Sequence, residues 1–185
     1  MKVFHGTAIH KPERREEVEE EIIFDNLETG YSDLNTIWFS ENDDVAKHFA
    51  EQQAKYSHTE SIAILVELEL ELDEDKVMYH DNYDPIVEID EAEYHSVADR
   101  EELYEALQNA GYEAYITENN YPQHGDNAND IAVFDEGLYK TESVRVFHNG
   151  KWSAPIKDEE TLVKVLEKAF FNKNKSADNN TNMQP

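Results

Sequence analysis

Three short stretches carry side chains that could do chemistry, and the first is His5-Gly6-Thr7 near the N-terminus. Val3 and Phe4 are β-formers, so we expect a short strand that ends at the histidine. Gly6 has no Cβ, which leaves its peptide groups open to a planar ligand. A histidine that follows a short strand is more often structural, so this stretch gains weight only beside two later ones.

The second stretch, Ile37-Trp38-Phe39-Ser40, is a run of β-formers that ends in a polar residue. Ser40 is expected to be the N-cap of a helix over residues 42–56, because Asp43 follows it at the position of a capping-box acid. The third stretch is a buried strand over residues 130–135, which begins with Asp130 and ends with Asp135. Together the three stretches provide an imidazole, an indole and a carboxylate, each next to a predicted strand.

The elements around these stretches must position them. Alternating apolar residues predict a long strand over residues 61–72. Asp99 is expected to cap a helix over residues 100–110, which Gly111 ends, and residues 118–129 are expected to form a polar loop. The remaining predictions are a helix over residues 159–171, strands over residues 77–79, 86–89, 112–117 and 144–147, and a turn at Asn149-Gly150.

This order of elements predicts the fold class. Strands and helices interleave without regular βαβ alternation, which indicates an α+β fold. We expect a single domain over residues 1–171. From residue 172 the composition turns to Asn, Lys and Ser, which predicts a disordered tail over residues 172–185.

The strongest compositional feature is a formal net charge of −26 in 185 residues. Such a charge repels nucleic acid and anionic membranes and favours a basic partner. The absence of cysteine excludes disulfides, a cysteine nucleophile and cysteine-ligated zinc. The histidines have neither HxH nor HExxH spacing, so no metal is expected. No apolar run is long enough to indicate a membrane span, and the expected location is the cytoplasm.

Taken in order, the three stretches resemble the ADP-ribosyltransferases, in the branch with a His-Tyr-Glu triad that includes the poly-ADP-ribose polymerases and diphtheria-type toxins. His5-Gly6-Thr7 matches the first motif of that family, Ile37-Trp38-Phe39-Ser40 the second, and the strand that begins at Asp130 the third. The chain is also similar to the small transferase-like domains of phages and mobile elements. The resemblance covers residues 2–147 and implies two mixed or antiparallel sheets packed around a cleft for NAD.

The resemblance implies a mono-ADP-ribosyltransferase, which breaks the bond between ribose C1′ and nicotinamide and moves ADP-ribose to a protein that is basic at the contact. Asp130 would stabilise the positive charge that develops at C1′. His5 would bind a ribose hydroxyl, the Gly6 backbone would hold the carboxamide, and Trp38 would stack on the nicotinamide. The residues implied to bind NAD are His5, Gly6, Thr7, Trp38 and Ser40, and those implied in catalysis are Asp130, His5 and Trp38.

The chain departs from the family pattern at two positions. Trp38 stands where the family has Tyr, and it offers a π-face without a phenolic hydroxyl. Asp130 stands where the family has Glu, and its carboxylate is one methylene shorter. Glu118, at a strand end in the same region, is the alternative carboxylate. The alternative functions are an inactive relative that binds a basic partner as an acidic inhibitor, and an NAD glycohydrolase in which water is the acceptor.

Overall fold

The computed structural model describes residues 1–18, 36–81, 86–95, 99–121 and 126–171. The predicted tail over residues 172–185 and part of the acidic run over residues 16–21 lie outside this part of the chain. The described strands are β1 (Lys2–His10), β2 (Ile37–Ser40), β3 (Ser61–Leu70), β4 (Val77–His80), β5 (Ile86–Ile89), β6 (Ala92–His95), β7 (Ala114–Tyr121), β8 (Asp126–Val133), β9 (Tyr139–His148) and β10 (Lys151–Trp152). The described helices are α1 (Asp43–Tyr56), α2 (Arg100–Asn109) and α3 (Glu159–Phe171).

Eight of these strands form one mixed sheet in the order β10-β9-β3-β1-β2-β8-β7-β4, while β5 and β6 pair with each other. The described pairs are antiparallel except β4 with β7. The α+β fold class is therefore confirmed. The large sheet has a weak point, because β1 pairs with β3 along its whole length but with β2 only at Phe4 and Ser40. Where two sheets packed around a cleft were expected, these eight strands form one sheet, whose two halves meet at this single residue pair.

The first strand is longer than its sequence predicts. We expected it to end at His5, with Gly6 and Thr7 outside it, but β1 continues to His10. Every residue of β1 has a register partner in β3, from Lys2 opposite Glu69 to His10 opposite Ser61. This ladder of backbone hydrogen bonds outweighs the weak strand preference of a single glycine.

Two helix caps also differ from the prediction. Asn42, rather than Ser40, is the N-cap of α1, since its side chain accepts hydrogen bonds from the backbone N–H groups of Asp44 and Val45. The Ser40 hydroxyl accepts from the N–H of Asn42 and so closes the turn before the cap. Asp99 precedes α2 without capping it, because its carboxylate accepts from the N–H of His95 instead.

The predicted polar loop over residues 118–129 is largely a β-hairpin. Strand β7 runs on to Tyr121 and β8 already begins at Asp126, with Glu118 opposite Asn129 in the register. Composition suggested a loop because the segment is rich in Asn and Asp, which are depleted in strands. Pairing with the neighbouring strand overrides that preference, since the ladder satisfies the backbone of both.

The sheet is covered on both faces. The larger core cluster lies against α3 and joins Leu162, Leu166 and Phe170 to strand residues such as Ile64 and Ile131. A second cluster joins Leu103, Tyr104 and Leu107 of α2 to Tyr115 and Ala132 on the other face. Helix α1 packs over β1 and β3. In the part of the chain that is described, no helix combines the length and apolarity needed to cross a membrane.

Candidate functional site

The sheet register brings three of the predicted site residues onto one face. Ser40 of β2 lies directly opposite Asp130 of β8, and Trp38 lies opposite Ala132, the next residue of β8 on that face. Side chains two residues apart on a strand point to the same side, so the indole, the hydroxyl and the carboxylate share a surface. Ser40 is buried and Trp38 and Asp130 are half-buried. An indole next to a partly shielded carboxylate suits a planar cation.

His5 contributes to the junction between the two halves of the sheet. It follows Phe4 on β1 and is therefore on the other face of that strand from Ser40, with its ring 6.0 Å from that of Phe39. Its Nδ1 lies 2.7 Å from the carbonyl oxygen of Trp38. Because a carbonyl can only accept, Nδ1 carries the proton. The imidazole therefore bridges β1 and β2 where their ladder stops.

The other ring nitrogen of His5 has no partner among the described residues. Nε2 is buried, and nothing in that part of the chain hydrogen-bonds to it. Burial lowers the pKa of His5 and outweighs the hydrogen bond to Trp38, which acts in the opposite direction. The ring is therefore neutral near pH 7, and with Nδ1 protonated, Nε2 is a bare acceptor. Buried acceptors are normally hydrogen-bonded, so a ligand that offers a donor such as a hydroxyl group would satisfy Nε2.

Gly6 is explained first by helix packing. A Cβ at this position would lie 1.8 Å from the carbonyl oxygen of Ala46 and 3.1 Å from the nitrogen of Ala50, both in α1. The helix thus fills the side on which we expected a planar ligand to approach. A ligand could therefore contact Gly6 only through its backbone N–H and C=O groups, along the edge of β1. The hydroxyl of Thr7 donates to the side chain of Gln53, also in α1.

The structure separates the two candidate carboxylates. Thr117 is opposite Asp130 in the β7–β8 register and shares its face, whereas Glu118 is the next residue along β7 and points to the opposite side. Glu118 is exposed there. Asp135 caps the short turn after β8 by accepting from the N–H of Gly137, as expected for a turn residue. Asp130 is thus the carboxylate that shares a surface with Trp38.

Sequence reasoning missed a basic residue at this surface. The guanidinium carbon of Arg100, at the start of α2, lies 5.7 Å from the centre of the Trp38 ring. Tyr104, one turn further along α2, contacts the same indole at 5.8 Å between ring centres. A signal was present in the sequence, because a positive charge in the first turn of a helix opposes the helix dipole. An arginine at a helix start departs from the usual preference for acidic residues there, and such departures are typical of functional positions.

Two more polar groups at this surface were not predicted. The hydroxyl of Thr117, the register partner of Asp130, is buried and has no partner in the described part of the chain. Tyr115 lies on the same face, 2.8 Å from His80 Nδ1, while His80 Nε2 lies 3.2 Å from the Ile86 carbonyl. Nε2 therefore donates to that carbonyl and Nδ1 accepts from the tyrosine. Burial raises the pKa of Tyr115 to about 12, so its hydroxyl stays protonated.

Comparison of the chain with protein-family models, with curated proteins and with solved structures finds no match.

Burial of His5 predicts a pH-dependent stability. The pKa of His5 is lower in the folded than in the unfolded protein. Its contribution to the free energy of unfolding is therefore complete above about pH 6.5, and it declines as the pH falls toward the folded pKa. One proton changes the free energy of unfolding by at most about 1.4 kcal/mol per pH unit. Urea unfolding of the parent and of His5→Gln between about pH 8 and pH 5 should show a shallower pH dependence in the variant.

The control for this experiment is His58→Gln, which removes an exposed histidine. That variant should keep the pH dependence of the parent. Identical pH slopes for the parent and His5→Gln would contradict the assignment of His5 as a neutral, buried imidazole.

Proposed function

We propose that the protein binds NAD where the sheet halves separate between β1 and β2, and transfers ADP-ribose from it to a protein. The bond between ribose C1′ and the nicotinamide nitrogen breaks, and its electron pair leaves with nicotinamide, which becomes neutral. A nucleophilic side chain of the acceptor forms a new bond to C1′ and loses its proton. NAD is a substrate in this reaction.

The observation that carries the proposal is that Nε2 of His5 has no hydrogen-bond partner among the described residues. This nitrogen is an acceptor only, because Nδ1 is committed to the Trp38 carbonyl. A ribose supplies two neighbouring hydroxyl donors of the kind that such an acceptor needs. Nε2 is shielded from solvent, so binding requires a local movement that exposes this nitrogen while Nδ1 keeps its bond to the Trp38 carbonyl.

Trp38 and Asp130 suit the two positive charges of the reaction, which lie first on the nicotinamide ring and then on C1′. The nicotinamide ring of NAD is a cation, which the face of an indole attracts. As the glycosidic bond breaks, the positive charge passes to C1′, and a carboxylate stabilises it most at that moment. Asp130 and Trp38 belong to neighbouring strands and the same face, so one ligand can contact both. In this proposal, Trp38 binds the nicotinamide ring in the ground state, and Asp130 stabilises the positive charge at C1′ in the transition state.

The acceptor that we propose is basic at its contact surface. The chain carries 42 acidic against 16 basic residues, and such a charge accelerates association with a positively charged partner at low salt. An inactive protein that merely holds such a partner, or a glycohydrolase that uses water, would share this surface. The transferase, the inactive binding protein and the glycohydrolase differ in whether nicotinamide is released and where the ADP-ribose is found.

NAD binding can be measured through Trp38. The chain has two tryptophans, so Trp152→Phe leaves Trp38 as the only one. We expect NAD to quench the fluorescence of Trp152→Phe, because nicotinamide stacks on the indole that Arg100 covers in the structure. The matched variant Trp38→Phe retains Trp152, whose emission should be unchanged by NAD after correction for absorbance. Unchanged emission of Trp152→Phe at millimolar NAD would contradict the proposed site.

A further inference from the structure

We infer that Arg100 is the phosphate-binding residue of this site and takes the pyrophosphate of a dinucleotide, an inference that rests on the proposed NAD site. A chain with a net charge of −26 repels a pyrophosphate unless a cation stands at the point of binding. Arg100 stands there, with its guanidinium over the Trp38 ring.

Arg100 differs from the other three arginines of the chain in its pairing. Arg14 contacts Glu17 at 2.5 Å, Arg15 contacts Glu167 at 2.8 Å, and Arg145 lies 3.7 Å from Asp43. Within the described part of the chain, no carboxylate lies at salt-bridge distance from Arg100, although acidic residues outnumber basic ones by 42 to 16. Arg100 is exposed, and its five N–H donors suit the oxygens of a phosphate.

The start of α2 adds to the positive potential at Arg100. The first turn of a helix has N–H groups without intrahelical acceptors, and the side chain of Asp99 leaves them uncapped. The effect of the guanidinium extends over the surface. Burial raises the pKa of both Tyr104 and Tyr115, and the charge of Arg100 acts against that rise in each. The guanidinium of Arg100 and the amide donors of the first turn of α2 thus lie at the same helix end, beside the indole of Trp38.

The position of Arg100 also implies an exchange on ligand binding. The guanidinium occupies a face of Trp38, and the nicotinamide ring of NAD is a second cation for the same indole. If Arg100 moves to the pyrophosphate, the Trp38 face becomes free for nicotinamide. A single arginine would then bind the phosphates and open the stacking position in one movement.

The test is calorimetry on the full chain with NAD, ADP-ribose, nicotinamide and inorganic pyrophosphate. We expect Arg100→Gln to weaken the binding of NAD and ADP-ribose by about 10- to 100-fold, the range for hydrogen bonds to charged groups. Nicotinamide, which has no phosphate, should bind the variant at least as tightly as it binds the parent, because the variant lacks the guanidinium that covers Trp38. Arg100→Lys should fall between the two, because it keeps the charge and loses the forked geometry.

The matched control is Lys55→Gln. Lys55 is also an exposed cation above an aromatic ring, 5.2 Å from the centre of Tyr56, so its loss changes the net charge by the same amount. ADP-ribose affinities that are equal in Arg100→Gln and Lys55→Gln would overturn the role of Arg100, and NAD binding by the parent would then leave the proposed function standing. Arg100-dependent binding of ADP-ribose and pyrophosphate without binding of NAD would support Arg100 and contradict the proposed function. A parent that binds none of the phosphate-bearing probes would overturn both.

Discussion

Replacing Asp130 with alanine is expected to reduce the rate of ADP-ribosyl transfer by about 100- to 1000-fold, or about 2.7–4 kcal/mol, while NAD binding stays close to that of the parent. In the proposed reaction the carboxylate would act mainly when C1′ is positively charged, so its loss would raise the barrier more than it weakens the ground-state complex. Asp130→Asn should be nearly as slow, because it keeps the shape and loses the charge. Single-turnover transfer with labelled NAD measures the rate, and calorimetry measures NAD binding.

Glu118→Ala is the matched control for Asp130→Ala. Both residues lie on the β7–β8 hairpin, one residue pair apart in the register, but on opposite faces. Glu118→Ala should therefore transfer at the parent rate. Asp130→Glu introduces the residue that the ADP-ribosyltransferases, which the sequence resembles, have in the third motif, and we expect it to remain active if the site accommodates one more methylene. Parent-like transfer by Asp130→Ala together with a slow Glu118→Ala would reverse the roles assigned here.

Gly6→Ala is expected to destabilise the fold by at least about 1–3 kcal/mol, the usual cost of overpacking a core. The added Cβ would meet the backbone carbonyl of Ala46 at 1.8 Å, which no rotation of a side chain can relieve. Helix α1 must therefore move away from β1, and α1 begins directly after Ser40 and Asn42. Urea unfolding without NAD measures the loss of stability.

Gly137→Ala serves as the control for Gly6→Ala. A Cβ at Gly137 meets only the side chain of Asp135, at 3.2 Å, and that side chain can turn aside. It should cost clearly less than Gly6→Ala. Equal stability of Gly6→Ala and the parent would show that α1 does not approach β1 as closely as described. Because the expected loss does not need NAD, reduced activity in Gly6→Ala alone is no evidence of ligand contact.

The helices could be read from the sequence because several local signals agree. The predicted spans of 42–56, 100–110 and 159–171 match α1, α2 and α3 within a residue at either end. The N-cap of α1 was wrong, since Ser40 and Asn42 are both good caps two residues apart and only the backbone path chooses between them. The extension of β1 and the β7–β8 hairpin were missed because both depend on pairing with a distant or neighbouring strand.

The candidate site was predictable in part. Trp38 and Asp130 were found because each stands on a strand within a recognisable stretch, but their shared face follows from the register of β2 with β8. The same register places Glu118 on the other side, which composition cannot reveal. Arg100 reaches Trp38 from a helix more than 60 residues later in the chain, so no local pattern joins the two.

The most direct test of the proposed function is incubation of the protein with NAD labelled in its adenylate half and with the proteins of a cell lysate. Nicotinamide is measured by chromatography, and the label on protein is measured on a gel and located by mass spectrometry. We predict release of nicotinamide and matching label on protein, both lost in Asp130→Ala. Nicotinamide release without label on protein would identify a glycohydrolase instead. Nicotinamide release by the parent no faster than by Asp130→Ala would contradict the account of this site as one that cleaves NAD.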